Sequence, residues 1–113
     1  MKFSESLKRN EDFRRVYGEG KSYANRYLVM YALNNGTDRN RLGISVSKKV
    51  GNSVVRHRIT RLIRESYRRR EESFNSGLDI VVVARKSAKD KTCQEIESAL
   101  LHLGKLHGIV KLK

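Results

Sequence analysis

"RHRITRLIRESYRRR", from Arg56 to Arg70, sets seven arginines against one acid, Glu65, and contains no lysine. At 100° per residue, Val55, Ile59, Leu62, Ile63 and Tyr67 fall within one arc. His57, Arg61, Arg64 and Arg68 form a stripe opposite that arc. The spacing predicts an amphipathic helix that starts near Asn52 or Ser53. Its apolar side docks on a core, and its other side is a rail of guanidinium groups. The rest of the chain must supply the surface it docks on.

Upstream, "RYLVMYAL" (Arg26 to Leu33) alternates as a strand. Tyr27, Val29, Tyr31 and Leu33 are expected on one face, and Leu28, Met30 and Ala32 on the other. "NNGTDRN" (Asn34 to Asn40) reads as a turn, and "RLGISVS" (Arg41 to Ser47) as the returning strand of an antiparallel hairpin. Gly43, Ser45 and Ser47 leave one face of that hairpin open beside the tyrosines, a platform for something flat. Before it, Asn10 is expected to cap a short helix with Glu11 and Asp12 in its first turn. Phe13 and Tyr17 share one face of this helix, which Gly18 and Gly20 end. Ser22 to Asn25 could begin a further strand. Downstream, "LDIVVVA" (Leu78 to Ala84) is a β-branched run suited to a strand covered on both faces. Thr92-Cys93-Gln94-Glu95 is a capping box. The last helix turns Ile96, Ala99, Leu100 and Leu103 inward, is weakened by Gly104 and stops at Gly108. The expected fold is α+β, an α-β sandwich of order α-β-β-(β)-α-β-α.

The chain has 113 residues, which suits one domain spanning residues 1–113. It carries 25 Lys and Arg against 12 Asp and Glu, a net charge of +13. Such a surplus repels itself in the folded state and points to a polyanionic partner, with nucleic acid ahead of an anionic membrane surface. There is no run of ~18 apolar residues to span a membrane. Met1 to Glu5 contains no apolar signal core. Cys93 is the only cysteine, so no internal disulfide is expected, and a reducing, cytoplasmic setting is expected.

The arginine rail can be read as a solvated charged face or as a phosphate-binding surface. Guanidinium forks onto phosphate and stacks on bases, which lysine does less well. Glu65 lies four residues after Arg61, so one internal pair is expected there. An A-form major groove is too deep and narrow for such a helix to read bases, which points to recognition by shape and backbone. Phe13, Tyr17, Tyr27 and Tyr31 divide between core and platform, and a Tyr-bearing face could stack unpaired bases. Other signals are slight. Ser45-Val46-Ser47-Lys48 fits S-x-x-K in a strand context without partner motifs. His57, His102, His107 and Cys93 lack metal-ligand spacing. His102 and His107 are expected on the exposed side or end of the last helix, and Asp79 as a turn residue. The chain offers many phosphate binders and no evident catalytic group.

"GNSVVRHRITRLIRE" (Gly51 to Glu65) resembles the signature of the protein subunit of bacterial ribonuclease P. "NEDFRRVYGEGKSYANRYLVMY" (Asn10 to Tyr31), "RLGISVSKKVGN" (Arg41 to Asn52) and "DIVVVARKSA" (Asp79 to Ala88) resemble it too, in order and at matching spacing. The resemblance implies a left-handed βαβ crossover around the arginine helix, where handedness rules alone favour the opposite hand. It implies assembly with a catalytic RNA that removes the 5′ leader of precursor tRNA. The chemistry would belong to that RNA and its Mg²⁺ ions, with no stable protein partner and no catalytic residue in the chain. Arg56, Arg58, Arg61 and Arg64 would meet the catalytic RNA, with Lys48, Lys49 and Asn52 nearby. Phe13, Tyr17, Val29 and Tyr31 would line the cleft that receives the leader.

Two positions depart from the family pattern. His57 replaces the usual Asn between the first arginines, and Thr60 replaces the usual Lys before Arg61. Neither is assigned the family role. Arg68, Arg69 and Arg70 could restore charge further along, and Arg68 is counted with the residues expected to bind the catalytic RNA. Two other classes fit less of the chain: a structural RNA-binding protein such as a ribosomal protein, and a protein-only nuclease.

Overall fold

The computed structural model describes residues 4–111. Met1 to Phe3, part of the N-terminal stretch read above, lie outside the described residues. The elements in chain order are β1 (Ser4–Ser6), α1 (Asn10–Glu19), β2 (Lys21–Ala24), β3 (Leu28–Asn34), β4 (Asn40–Ser45), α2 (Ser53–Arg70), β5 (Leu78–Ala84) and α3 (Cys93–His107). This is the expected α+β arrangement, optional strand included, with one addition. The strand foreshadowed at Ser22 is β2, and β1 is a three-residue strand too short to announce itself by alternation.

The sheet order is β1-β4-β5-β3-β2. The expected hairpin is therefore absent, because β3 and β4 do not pair. β5 lies between them, antiparallel to β3 (Tyr31 opposite Val81) and parallel to β4 (Gly43 opposite Val81). The cause is the run Leu78 to Ala84. It is buried at six of seven positions, with only Val83 part-exposed, and only the centre of a sheet covers a strand on both faces. The loop from Asn34 to Asn40 consequently bridges two strand spacings, about 10 Å. Asn35 organises it, its Oδ1 accepting from Thr37 N and Oγ1 at 2.9 and 2.8 Å.

α2 and α3 cover one face of the sheet. Ile59, Ile63 and Tyr67 of α2 and Ile96, Leu100 and Leu103 of α3 join Leu28, Met30, Leu42, Ile80 and Val82 in the main core. Asn52 caps α2 by accepting from Val55 N at 3.0 Å. Thr92 and Glu95 form the expected capping box, and Gly108 ends α3 in the left-handed region at φ 72°. Gly104 has a second role: a Cβ there would stand 2.4 Å from Val110 Cγ2 and 2.9 Å from the Phe74 ring. Its lack of a side chain lets the chain after α3 fold back over the helix.

α1 crosses the other face, where Val16 packs with Leu7 and Val81 and against Phe13, Tyr31, Leu33 and Val83. Arg9, not Asn10, is its N-cap, and no side chain caps it. Gly18 stays inside the helix and Gly20 follows its last residue. Asp79 is not a turn residue. It lies fully buried in β5 and binds Arg41, Arg15 and Asn35, which come from β4, α1 and the β3–β4 loop. His102 is exposed as expected, but His107 is half-buried, its Nε2 2.8 Å from the Met30 carbonyl and its ring edge-on to Tyr23. Among the described residues, no helix is long and apolar enough to cross a membrane.

Candidate nucleic-acid interface

The turn between β4 and α2 begins the charged surface. Val50 is buried and anchors it, while Lys48 and Lys49 are exposed just ahead of the N-terminus of α2. The first turn of α2 contains no acid, so no carboxylate of its own offsets the partial positive charge of the helix end. Lys48, Lys49 and Asn52 thus share one end of the rail.

Along α2 the arginines separate into four kinds. His57, Arg61 and Arg64 are exposed on the side opposite the core, and Arg61 and Arg64 meet no acid among the described residues. Arg56 is half-buried, and its Nε finds no acceptor among the described residues. Arg58 is spent on structure, donating to the carbonyl of Lys89 after β5. Arg68, Arg69 and Arg70 are ion-paired, the last two to a single carboxylate. Glu65 accepts the fork of Arg68, Nε to Oε2 at 3.0 Å, and is not paired with Arg61 as its spacing had suggested. The hydrogen bond from Arg68 holds the Glu65 carboxyl below its ordinary range. Glu97 of α3, 13% exposed, takes Arg70 at 2.9 Å and Arg69 at 3.4 Å. Two carboxylates thus meet the last three arginines and leave a single net positive charge there, and the stretch of arginines without an acid partner ends at Arg64. Thr60 Oγ1 donates to the Arg56 carbonyl at 2.9 Å and is satisfied within the helix.

The aromatic surface lies across the sheet from α2. Tyr17 meets Tyr31 edge-on with centroids 4.9 Å apart, and Phe13 stands 6.3 Å from Tyr17. Tyr17 is 39% exposed, and Phe13, Val29 and Tyr31 are each part-exposed. The opening expected over Gly43 is filled: a Cβ there would lie 2.7 Å from the Phe13 ring. Gly43 is thus the seat of Phe13. The uncovered part of this face continues through Val29, Val83 and Ser45, which align across three strands. Val83 joins the face beyond the residues named from sequence, and alternation along Leu78 to Ala84 puts it on the same side as Val81. Tyr27 does not join this face. It precedes β3, packs against the main core and has Lys91 Nζ 5.2 Å from its ring centroid.

The chemistry available is that of binding. One surface carries unpaired guanidiniums on a helix, and the other carries part-exposed rings from α1 and β3. The Lys48-Lys49 turn lies between them, since it leads from Ser45 on the second face to α2 on the first.

A family model described as Ribonuclease P matches residues 1–107. The ribonuclease P protein component of Lachnoclostridium phytofermentans is 65% identical over 107 residues, covering 95% of this chain and 92% of its own. That of Alkaliphilus metalliredigens is 53% identical, covering 91% and 93%. Among solved structures, the Staphylococcus aureus RNase P protein superposes with a TM-score of 0.86 at 43% identity, covering 96% of this chain and 99% of its own. The Thermotoga maritima RNase P protein gives 0.81 at 36% identity, covering 88% and 94%.

Proposed function

Because the chain belongs to the ribonuclease P protein family, a family of RNA-binding components of a tRNA-processing endoribonuclease, we propose how its two surfaces divide the work. The α2 rail, with Lys48, Lys49, Asn52, Arg56, Arg61 and Arg64, docks on the catalytic RNA. The face built by Phe13, Tyr17, Val29 and Tyr31 holds the unpaired 5′ leader of precursor tRNA. Arg58 and Arg68 contribute less, because a carbonyl and a carboxylate already occupy them. One small protein thereby bridges ribozyme and substrate in the cytoplasm, without a stable protein partner.

Bond cleavage in this reading belongs to the RNA and its Mg²⁺. The described residues gather no group of three or more His, Cys, Asp or Glu side chains able to hold a metal ion. The protein's part is electrostatic and positional: guanidiniums offset phosphate repulsion, and ring faces give a flexible leader something to stack on.

The observation that carries the reading is the contrast along α2, where Arg61 and Arg64 stay unpaired among the described residues while every later arginine of the helix has an acid partner. The test measures two quantities on the reconstituted holoenzyme. Arg61→Ala and Arg64→Ala should weaken binding of the catalytic RNA and flatten the log–log salt slope by about 0.7–0.9 per lost contact. Tyr17→Ala and Tyr31→Ala should leave that slope unchanged and reduce the preference for precursor over mature tRNA. If Tyr31→Ala leaves leader preference intact while Arg61→Ala abolishes only that preference, the assignments fail. Correct 5′ maturation by the protein without RNA would overturn the division of chemistry.

A further inference from the structure

A third surface lies away from both. The turn Asn25–Tyr27 and the outer side of α3 flank a shallow, open hollow of about 490 Å³. Its walls include Tyr27, Gln94, Ser98 and His102, with Ala99 among the residues closing it. The walls are pinned in place. Asn25 Oδ1 accepts from Tyr27 N and Leu28 N, while its Nδ2 donates to the Ala99 carbonyl at 2.9 Å and to His102 Nδ1 at 3.2 Å. Arg85 binds the Asn25 carbonyl at 2.8 Å, and Ser87 donates to the Arg26 carbonyl. The turn is therefore held to α3 and to the segment after β5 from two sides.

We propose that this hollow binds an unpaired nucleotide of an RNA strand, at a site distinct from the α2 rail and the aromatic face. Three observations favour that occupant. The first is chemical variety: an aromatic ring, a carboxamide, a hydroxyl and an imidazole converge on one space. Asn25 Nδ2 engages His102 Nδ1, which leaves Nε2 as the ring nitrogen able to meet a base edge. Ring stacking with small polar contacts is how sequence-tolerant single-strand sites work.

The second is charge. Arg26 is exposed at the hollow, and the Lys91 ammonium stands by the Tyr27 ring. The one acid in the lining, Glu95, is engaged by Thr92 N and Oγ1 at 3.2 Å each. Its carboxylate stays ionised and draws on the Lys91 charge, so Arg26 is the lining cation left to complement a phosphate. The third is continuity. A second hollow of about 390 Å³ on the far side of α3 shares Gln94, Ser98 and His102 and adds Arg70 and Lys105. Its acid, Glu97, is engaged by Arg69 and Arg70. Two hollows joined over a ridge that includes the short side chain of Ser98 suit consecutive nucleotides of a strand.

The inference rests on the family's RNA partnership and not on the assignments of α2 or the aromatic face. The test titrates the full chain with hexauridylate RNA and follows backbone amides by ¹H–¹⁵N NMR. The amides of Tyr27, Ser98 and His102 should shift saturably. Ser98→Trp, which fills the hollow from an exposed helix position, should abolish those shifts and leave shifts near Tyr17 and Tyr31 in place. If Ser98→Trp does not fold, His102→Ala should weaken binding at this site roughly tenfold, the scale of one lost base contact. Shifts confined to α2 and the aromatic face would overturn the α3 site and leave the leader assignment standing; shifts confined to α3 would do the reverse. Equal shifts with inorganic phosphate, shifts produced by raising protein concentration without RNA, or shifts that persist in Ser98→Trp would each overturn the proposal.

Discussion

Arg41 closes both arms of its guanidinium on Asp79, Nε to Oδ1 at 2.8 Å and Nη2 to Oδ2 at 2.7 Å, from directly opposite positions on the parallel strands β4 and β5. Arg15 of α1 adds a third bond at 2.8 Å and Asn35 a fourth at 3.0 Å. Asp79 is 0% exposed, while Arg41 and Arg15 are 29% and 43% exposed. Removing the carboxylate thus strands cations that still reach water, which puts the cost at the low end for a broken buried pair. Asp79→Asn should destabilise the fold by about 3 kcal/mol in urea unfolding.

The same carboxylate sets an acid limit. Burial pushes the Asp79 carboxyl up, but the hydrogen bonds from Arg41 and Asn35, with the charges of Arg41 and Arg15, outweigh it and hold it below its ordinary value. A carboxyl lowered in the folded state contributes stability that is complete above its unfolded pKa of about 3.9 and is lost as pH falls through the folded value. Thermal midpoints of the wild type should therefore drop below pH 4 more steeply than those of Asp79→Asn. Parallel acid limbs would assign the acid sensitivity to other groups.

His107 gives a second pH dependence in a higher range. Burial lowers its pKa, the hydrogen bond to the Met30 carbonyl opposes this, and the Lys21 charge adds to the lowering. The folded state thus prefers the neutral ring. The associated stability is complete above the ordinary value near 6.5 and declines as pH falls through the lowered one. Between pH 7.5 and 5, His107→Gln should lose less of its midpoint than the wild type. An equal loss would mean His107 does not titrate with folding.

Glu65 masks Arg68, so its removal should extend the rail. Glu65→Gln should steepen the salt dependence of catalytic-RNA binding by about 0.7–0.9 in log–log slope, and Arg68→Ala in that background should reverse it. In the wild type, Arg68→Ala should change the slope less than Arg61→Ala does.

Gly43 seats Phe13. Gly43→Ala places a methyl 2.7 Å from the ring and 3.1 Å from Leu7 Cδ2. The ring end can pivot, so the cost should stay near the lower end of overpacking, about 1 kcal/mol. The displaced ring should weaken leader preference without altering RNA docking. An unchanged preference would place Phe13 outside the leader surface.

What could be read from sequence follows how far each cause acts along the chain. α2 and α3 were legible because caps, periodicity and the stop at Gly108 lie within a few residues of what they determine. β5 was legible because seven consecutive residues state their own burial. The β3–β4 hairpin was misread because its turn signals are local, whereas the strand that separates the pair arrives more than thirty residues later. Asp79 looked like a turn residue because its partners Arg15, Asn35 and Arg41 are 64, 44 and 38 residues away. The last three arginines of α2 looked free because Glu97, which holds two of them, belongs to another helix. Phe13, Tyr17, Val29 and Tyr31 do come together, by simple i, i+4 and i, i+2 spacing. Tyr27 fails the same rule because it sits one residue outside the strand that would have imposed it.

The insertion of β5 between β3 and β4 also orders events during synthesis. A ribosome that has released residues up to 77 has delivered both flanking strands and the whole of α2, but not the strand that joins them. The basic helix therefore emerges before the sheet that covers its apolar side is complete. Contacts of this kind are non-local, and they slow folding relative to hairpin-first topologies. For that interval the nascent chain exposes Ile59, Ile63 and Tyr67 next to a cluster of arginines, in a compartment crowded with RNA. A translational pause before Leu78 would lengthen that exposure, and one after Ala84 would not.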